Sequence, residues 1–343
     1  MQTIYLSGYT RNTNQGIHQV TFDPEQGKLI KDKLLVTEAN PTYIALSKDN
    51  KHLYTLTELK DQPGVNHYEI TNDQAKLIDH VDVFPGNACY ISLDEEKQVL
   101  YLADYHHGAL AVVSLDDQGK MTLADTISHQ GSGPHPNQEK AHAHFLNRPE
   151  NSNFIYSCDL GTDQVHTYQL NEDKHLQEVS VYTAEPGTGP RHLAFHPSKK
   201  IAYLIGELSY TIDVLSMEDN GKLTFIERYH SMPDDWNDFN SSSAIRISQD
   251  GQFLYVSNRG HNSITAYKIS ENGEELTYIA TYASQGDFPR DFNFTADENY
   301  LVVGHQKDPK ITVFKRNKDN GELTLSQKDY PIDEIVCVVS AHD

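Results

Sequence analysis

One pattern recurs seven times along this chain, and it limits the possible folds more than composition does. Short alternating segments read IHQVTF (17–22), VNHYEI (65–70), LAVVSL (110–115), VHTYQL (165–170), IDVLSM (212–217), ITAYKI (264–269) and ITVFKR (311–316). Alternation with period two marks a half-buried strand. Each segment runs into a polar turn closed by Leu or Met: QGKL, QAKL, QGKM, DKHL, NGKL, GEEL and NGEL. Gly and Asn at such tips supply the positive φ that a tight hairpin needs.

A tyrosine-bearing strand precedes most of these segments, and a further strand precedes that one. Aligning the tyrosines gives equivalent first-strand positions at Thr42, Cys89, His144, Arg191, Ser243, Arg290 and Cys337. They are 47 to 55 residues apart. Four short strands per repeat at this period define a β-propeller blade. The final repeat is incomplete: CVVSAHD (337–343) holds one strand. IYLSGYT (4–10) reads as a second strand, with Tyr5 matching Tyr54 and Tyr101. The expectation is an all-β, seven-bladed β-propeller of four-stranded blades, one domain over 1–343. N- and C-terminal strands share a blade, and that closure removes the open sheet edges.

Composition excludes several functions. Lys and Arg number 28 against 49 Asp and Glu, a net charge of −21. Phosphate-rich partners are repelled, so nucleic acid and anionic membrane surfaces are not expected partners. No apolar run approaches the ~18 residues of a membrane span, and MQTIYLSGYT has neither the basic nor the apolar region of a secretory signal. Cys89, Cys158 and Cys337 are too few and too scattered for a disulfide framework or a structural zinc site. These features suit a reduced, cytoplasmic chain, monomeric or weakly self-associating.

In a propeller the start of strand one and the end of strand two meet at one mouth of the central channel. His144, Arg191 and Arg290 occupy the first position, where other blades carry Thr42, Cys89, Ser243 and Cys337. Glu58, Glu207 and Arg259 occupy the second, where others carry Tyr9, Tyr105, Leu160 and Gln306. Any one of these is as readily a channel-lining ion pair as a functional group. Two carboxylates, three arginines and a histidine on one rim favour a site. The longest intervals place extra residues in 128–143 and around 230–242, the latter holding the single tryptophan, Trp236. Both precede a first strand, so both are expected to overhang the same mouth. His142 and His144 form an HxH pair, but no Cys or third His is evidently placed to complete a metal site, and none is expected. Asp159 reads as a turn-former, the pair His106–His107 as solvated, and Cys89 and Cys337 as unactivated packing residues. There is no GxSxG, phosphate-binding Gly loop or dinucleotide fingerprint.

The segments GTGPRHLAFHP (187–197), GEL (206–208), DGQFLYVSNRGHNSI (250–264) and FPRDFNF (288–294) resemble the seven-bladed propeller lactonases, whose best-known bacterial activity is 6-phosphogluconolactonase. QEKAHAHF (138–145), DLGTD (159–163), NPTYIALS (40–47) and GYT (8–10) extend the resemblance over essentially the whole chain. Fungal carboxy-cis,cis-muconate lactonizing enzyme is similar in fold and site. The resemblance implies functional roles at His144, Arg191 and Glu207, with an Arg at Arg259; Arg290, His142, Glu58 and Asn258 are the expected substrate-binding residues. The chain departs from the family at Ala141, where Pro is common.

The function this implies is hydrolysis of a small anionic sugar lactone, with neither cofactor nor metal. Opening a lactone requires an activated water and a stabilised oxyanion. Glu207 is the expected general base and His144 the expected acid, with exchanged roles as the variant. Arg191 and Arg259 would clamp anionic groups and polarise the carbonyl, and Arg290 would meet a remote phosphate. Two other readings compete: cycloisomerisation of a muconate-type diacid, which uses the same clamps without water, and a non-catalytic binding scaffold, which would present an apolar rim.

Overall fold

The computed structural model describes residues 1–58, 63–233 and 235–342. Twenty-eight strands, from β1 (Gln2–Gly8) to β28 (Ile335–Ser340), form seven four-stranded antiparallel sheets among these residues. In six blades chain order runs outward from the channel. In the remaining blade the order is β28, β1, β2 (Gly16–Asp23) and β3 (Lys28–Thr37). Leu6 pairs with Val338 and Ser7 with Cys337, so the terminal strands are neighbours in one sheet. The incomplete final repeat is thus completed from the N-terminus. No described helix is long and apolar enough to cross a membrane.

Inner strands are buried on both faces. β21 (Phe253–Arg259) is buried at every position, and β17 (Ile201–Gly206) likewise. The apolar clusters lie between neighbouring blades. Tyr203, Ile205 and Val214 of one blade pack on Ile245, Leu254 and Val256 of the next. Each large side chain buried in this way contributes about 1.5–3 kcal/mol. Outermost strands alternate instead, and Lys31, Asp32 and Lys33 on β3 blunt one exposed edge with charge.

The strand-two tyrosines also join blades. Tyr203 Oη donates to the carbonyl of Gly273 (2.7 Å) and Tyr255 Oη to that of Gly321 (2.8 Å), each at the hairpin tip of the next blade. Those tips need glycine. Gly321 has φ +76°, and a Cβ there would lie 2.3 Å from Phe253 Cδ1. The turn glycines of the repeat therefore set both the hairpin and the seam between blades.

Candidate active site

A cavity of about 340 Å³ opens at one mouth of the channel, bounded by the starts of innermost strands and the ends of second strands. His144, Arg191, Glu207, Arg259, Arg290 and Glu58 all line it. They come from five different blades and meet because each blade brings the same two positions to the rim.

A backbone irregularity aims several of these side chains. In the pairing of strand one with strand two, Ala143 faces Asp159 and Phe145 faces Cys158, so His144 is skipped. Arg191 is skipped between Pro190 and His192, and Arg290 between Pro289 and Asp291. Each is the extra residue of a β-bulge. A bulge bends the strand and lets consecutive side chains share a face. That is how His192 and Asp291, which alternation would turn away, come to line the cavity beside Arg191 and Arg290.

Glu207 sits between two guanidiniums. Its Oε2 is 2.9 Å from Arg191 Nε and 2.9 Å from Arg259 Nη2, and its Oε1 accepts from Ser241 Oγ at 3.1 Å. Arg259 is fixed in turn by bonds from Nε to the Ser241 carbonyl (3.1 Å) and from Nη2 to Ser241 Oγ (2.7 Å). Arg191 Nη1 donates to the Ser243 carbonyl at 2.9 Å. Burial raises the Glu207 carboxyl, but Arg259, Arg191, His144 and Arg290 outweigh it and hold the group at about 2. Burial and the nearby Arg259 lower Arg191 to about 9, which leaves it cationic at neutrality.

His144 is buried and neutral: desolvation, then the Arg191 and Arg290 charges, hold it well below its ordinary value. Among the described residues its Nδ1 has no hydrogen-bond partner on another residue. Its ring meets His192 edge-on at 5.1 Å and Tyr105 at 5.9 Å. His192 is likewise held neutral by burial, Arg191 and His144.

Charge in the cavity runs against that of the whole chain. Arg11, Arg191, Arg259 and Arg290 face Glu58, Glu207 and Asp291. Asp291 is already paired with Arg246 behind the wall, at 2.8 Å, and Glu58 accepts from Asn40 Nδ2 at 2.6 Å. Four guanidiniums therefore face three carboxylates, one of them already paired outside the cavity, in a chain that carries −21 overall.

Two residues expected to bind substrate do not line the cavity. His142 stacks on Tyr105 at 4.2 Å, and its Nδ1 donates to the Tyr105 carbonyl at 2.7 Å. The bulge at His144 removes the common face that the HxH spacing implied. Asn258 is fully buried, donating to the Ser231 carbonyl (2.7 Å) and accepting from Ser242 Oγ (2.8 Å), so it braces the wall from outside. The two long segments also differ from expectation. No residue of 128–143 lines the cavity, and Gln138 instead donates to Leu160 O and Asp163 Oδ1. The 230–242 segment, in which Asp234 lies outside the described residues, reaches the site through Ser241 behind Glu207. Asp159 is the turn-former expected, accepting from the amides of His142, Gly161 and Thr162. His106, read as solvated, is exposed at the cavity lip, while His107 pairs with Asp104 at 2.6 Å. Burial pushes the Cys89 and Cys337 thiols up to about 12, leaving no thiolate near neutrality.

Comparison with known proteins agrees with this architecture. The family model described as lactonase, 7-bladed beta-propeller, matches residues 3–340. A Bacillus subtilis protein named 6-phosphogluconolactonase is 35% identical over 344 residues, covering 98% of each chain. A crystal structure of a Lactobacillus plantarum protein superposes with TM-score 0.95 at 37% identity, covering 99% of both chains. A putative 6-phosphogluconolactonase from Bacteroides fragilis gives TM-score 0.91 at 28% identity, over 99% of this chain and 97% of the other. With its seven blades, its charged mouth and a match spanning nearly every residue, the chain belongs to the seven-bladed β-propeller lactonase family.

Proposed function

We propose that this chain hydrolyses a sugar lactone bearing an anionic group, and we assign 6-phosphogluconolactone as the substrate. The observation that carries the reading is the meeting of a neutral His144 with the paired guanidiniums of Arg191 and Arg259 in one cavity. The name of the Bacillus relative supports the choice of substrate.

In this mechanism the lactone carbonyl oxygen lies toward Arg191 and Arg259, which stabilise the tetrahedral oxyanion. His144 accepts a proton from the attacking water. The tetrahedral intermediate collapses by breaking the ring C–O bond, and the protonated imidazole returns its proton to the departing alkoxide. The product is the open hydroxy acid. This gives His144 both the base and the acid role, which the sequence reading divided between Glu207 and His144. The Glu207 carboxylate is already engaged by Arg191, Arg259 and Ser241, whereas among the described residues His144 Nδ1 has no partner on another residue and is free to take the proton of a water at the moment of attack. Glu207 instead holds the two guanidiniums in place. Each step uses side chains alone, so chelation with EDTA should leave the rate unchanged. The three free thiols support a reducing, cytoplasmic setting.

The test is lactone hydrolysis by the purified protein, corrected for spontaneous opening. Acceleration of 6-phosphogluconolactone hydrolysis is expected. A rate at background overturns the reading, and lactonization of a muconate-type diacid instead would assign cycloisomerase chemistry.

A further inference from the structure

The chain has eight arginines. Six of them lie within ion-pair distance of a carboxylate: Arg148 with Asp94, Arg191 and Arg259 with Glu207, Arg228 with Asp213, Arg246 with Asp291, and Arg316 with Glu298. Among the described residues, Arg11 and Arg290 have no such partner, although the sequence holds 49 acidic residues. Both line the cavity.

These two guanidiniums share one aromatic ring. The Arg11 guanidinium carbon is 3.8 Å from the Tyr9 ring centroid and that of Arg290 is 5.7 Å away. Arg290 Nη1 also donates to Gln306 Oε1 at 3.0 Å. A guanidinium over a ring face keeps its N–H edge available for an anion while losing conformational freedom. The segment carrying Arg11 is itself anchored. Buried Glu334 accepts from the amides of Arg11 (2.9 Å) and Asn12 (2.7 Å), and Asn14 Nδ2 donates to the Tyr9 carbonyl at 2.8 Å. The Glu334 carboxylate is thus occupied by backbone donors rather than by the Arg11 side chain.

Position completes the picture. Tyr9 and Arg11 follow β1, in the blade that β28 closes, and Arg290 stands on the adjacent blade. His144, Arg191 and Glu207 belong to the fourth and fifth blades, which in a ring of seven lie across the channel from the first. The cavity therefore has a reacting wall and, facing it, a wall whose two guanidiniums have no carboxylate within ion-pair distance among the described residues.

We propose that Arg11 and Arg290, ordered by the Tyr9 ring, form a phosphoryl subsite that makes the chain selective for phosphorylated sugar lactones over their unphosphorylated counterparts. The proposal rests on the lactonase reading of the same cavity and deepens it. A phosphate monoester presents several oxygens to two guanidiniums, each able to bind bidentately.

The experiment compares kcat/KM for 6-phosphogluconolactone and glucono-1,5-lactone in the wild type, Arg11→Gln, Arg290→Gln and Arg11→Lys. The ratio of the two values should fall roughly 10- to 100-fold in each Gln variant, mainly through KM, as expected for a lost charge-assisted bond. Arg11→Lys should restore part of it. A ratio that stays at the wild-type value in Arg11→Gln overturns the subsite. Calorimetry with 6-phosphogluconate, gluconate and inorganic phosphate needs no turnover, so it separates this proposal from the lactonase reading. The wild type should bind 6-phosphogluconate most tightly, and Arg11→Gln should lose that preference even if neither lactone is turned over. Equal binding of gluconate and 6-phosphogluconate, or inorganic phosphate binding as tightly as the sugar phosphate, overturns it.

Discussion

Arg191 and His192 are neighbours in the chain, yet both face the same cavity, with Arg191 Nη1 3.4 Å from His192 Nε2. A cation this close cannot coexist comfortably with a protonated imidazole, and burial acts in the same direction. His192 is held neutral mainly by desolvation and then by that guanidinium.

The first prediction is a pH dependence of stability. His144 and His192 both have folded values depressed below the unfolded value of about 6.5. Above that pH both states are neutral and the groups contribute nothing. Below it the unfolded chain takes up protons that the folded chain refuses, so stability falls as pH falls, by up to about 1.4 kcal/mol per pH unit per histidine. Urea unfolding at pH 7.5, 6 and 5 measures the slope. His192→Asn should reduce it by close to one proton, and an unchanged slope would place the depressed group elsewhere.

A second expectation concerns catalysis. With His144 as base and its value well below 6.5, kcat/KM should be flat from pH 8 to about 6.5 and decline only under more acid conditions. His144→Gln should lower kcat by about 10²- to 10⁴-fold. An acid limb centred at or above 6.5 argues for a different base.

The two possible roles of Glu207 separate in Glu207→Gln. As a base its loss would lower kcat alone. As the counter-charge for Arg191 and Arg259 its loss leaves two buried cations uncompensated, so KM should rise while kcat falls, and the fold should lose about 3–5 kcal/mol. Arg191→Ala should reduce kcat/KM by roughly 10- to 100-fold. Paired steady-state kinetics and denaturation on these variants decide between the roles.

A fourth prediction addresses the seams. Gly321→Ala places a methyl against the Phe253 ring at a residue with φ +76°. Overpacking costs about 1–3 kcal/mol, and the left-handed backbone adds about 1–2 kcal/mol. Thermal unfolding should report a clearly lower Tm, with activity retained at low temperature because the tip is remote from the cavity.

Much of this molecule is written in its repeats, because a blade that recurs seven times fixes strand count, strand order and the sharing of one blade by β1 and β28. His144, Arg191, Arg290, Glu58, Glu207 and Arg259 could be picked out because each breaks the chemistry its repeat position otherwise keeps. His192 and Asp291 could not. Strict alternation turns the residue after a rim position outward, and only the pairing register reveals the bulge that reverses this. The same limit misplaced His142. Asn258 shared a segment with Arg259 but lies one residue earlier, on the side facing Ser231 and Ser242. Long segments signalled a busy rim without revealing that they pack beside it.

The pairing of β1 with β28 also has a temporal consequence. β1 is the first strand made and β28 the last of the described strands, so during synthesis six complete blades and three strands of the seventh emerge before the partner of Ile4 and Leu6 leaves the ribosome. Until then β1 offers an unpaired inner edge. Closing so long a loop is slow, and an open edge is a template for mispairing. The nascent ring behaves as a bracelet without its clasp, and the hazard lasts until β28 is made and docks on β1.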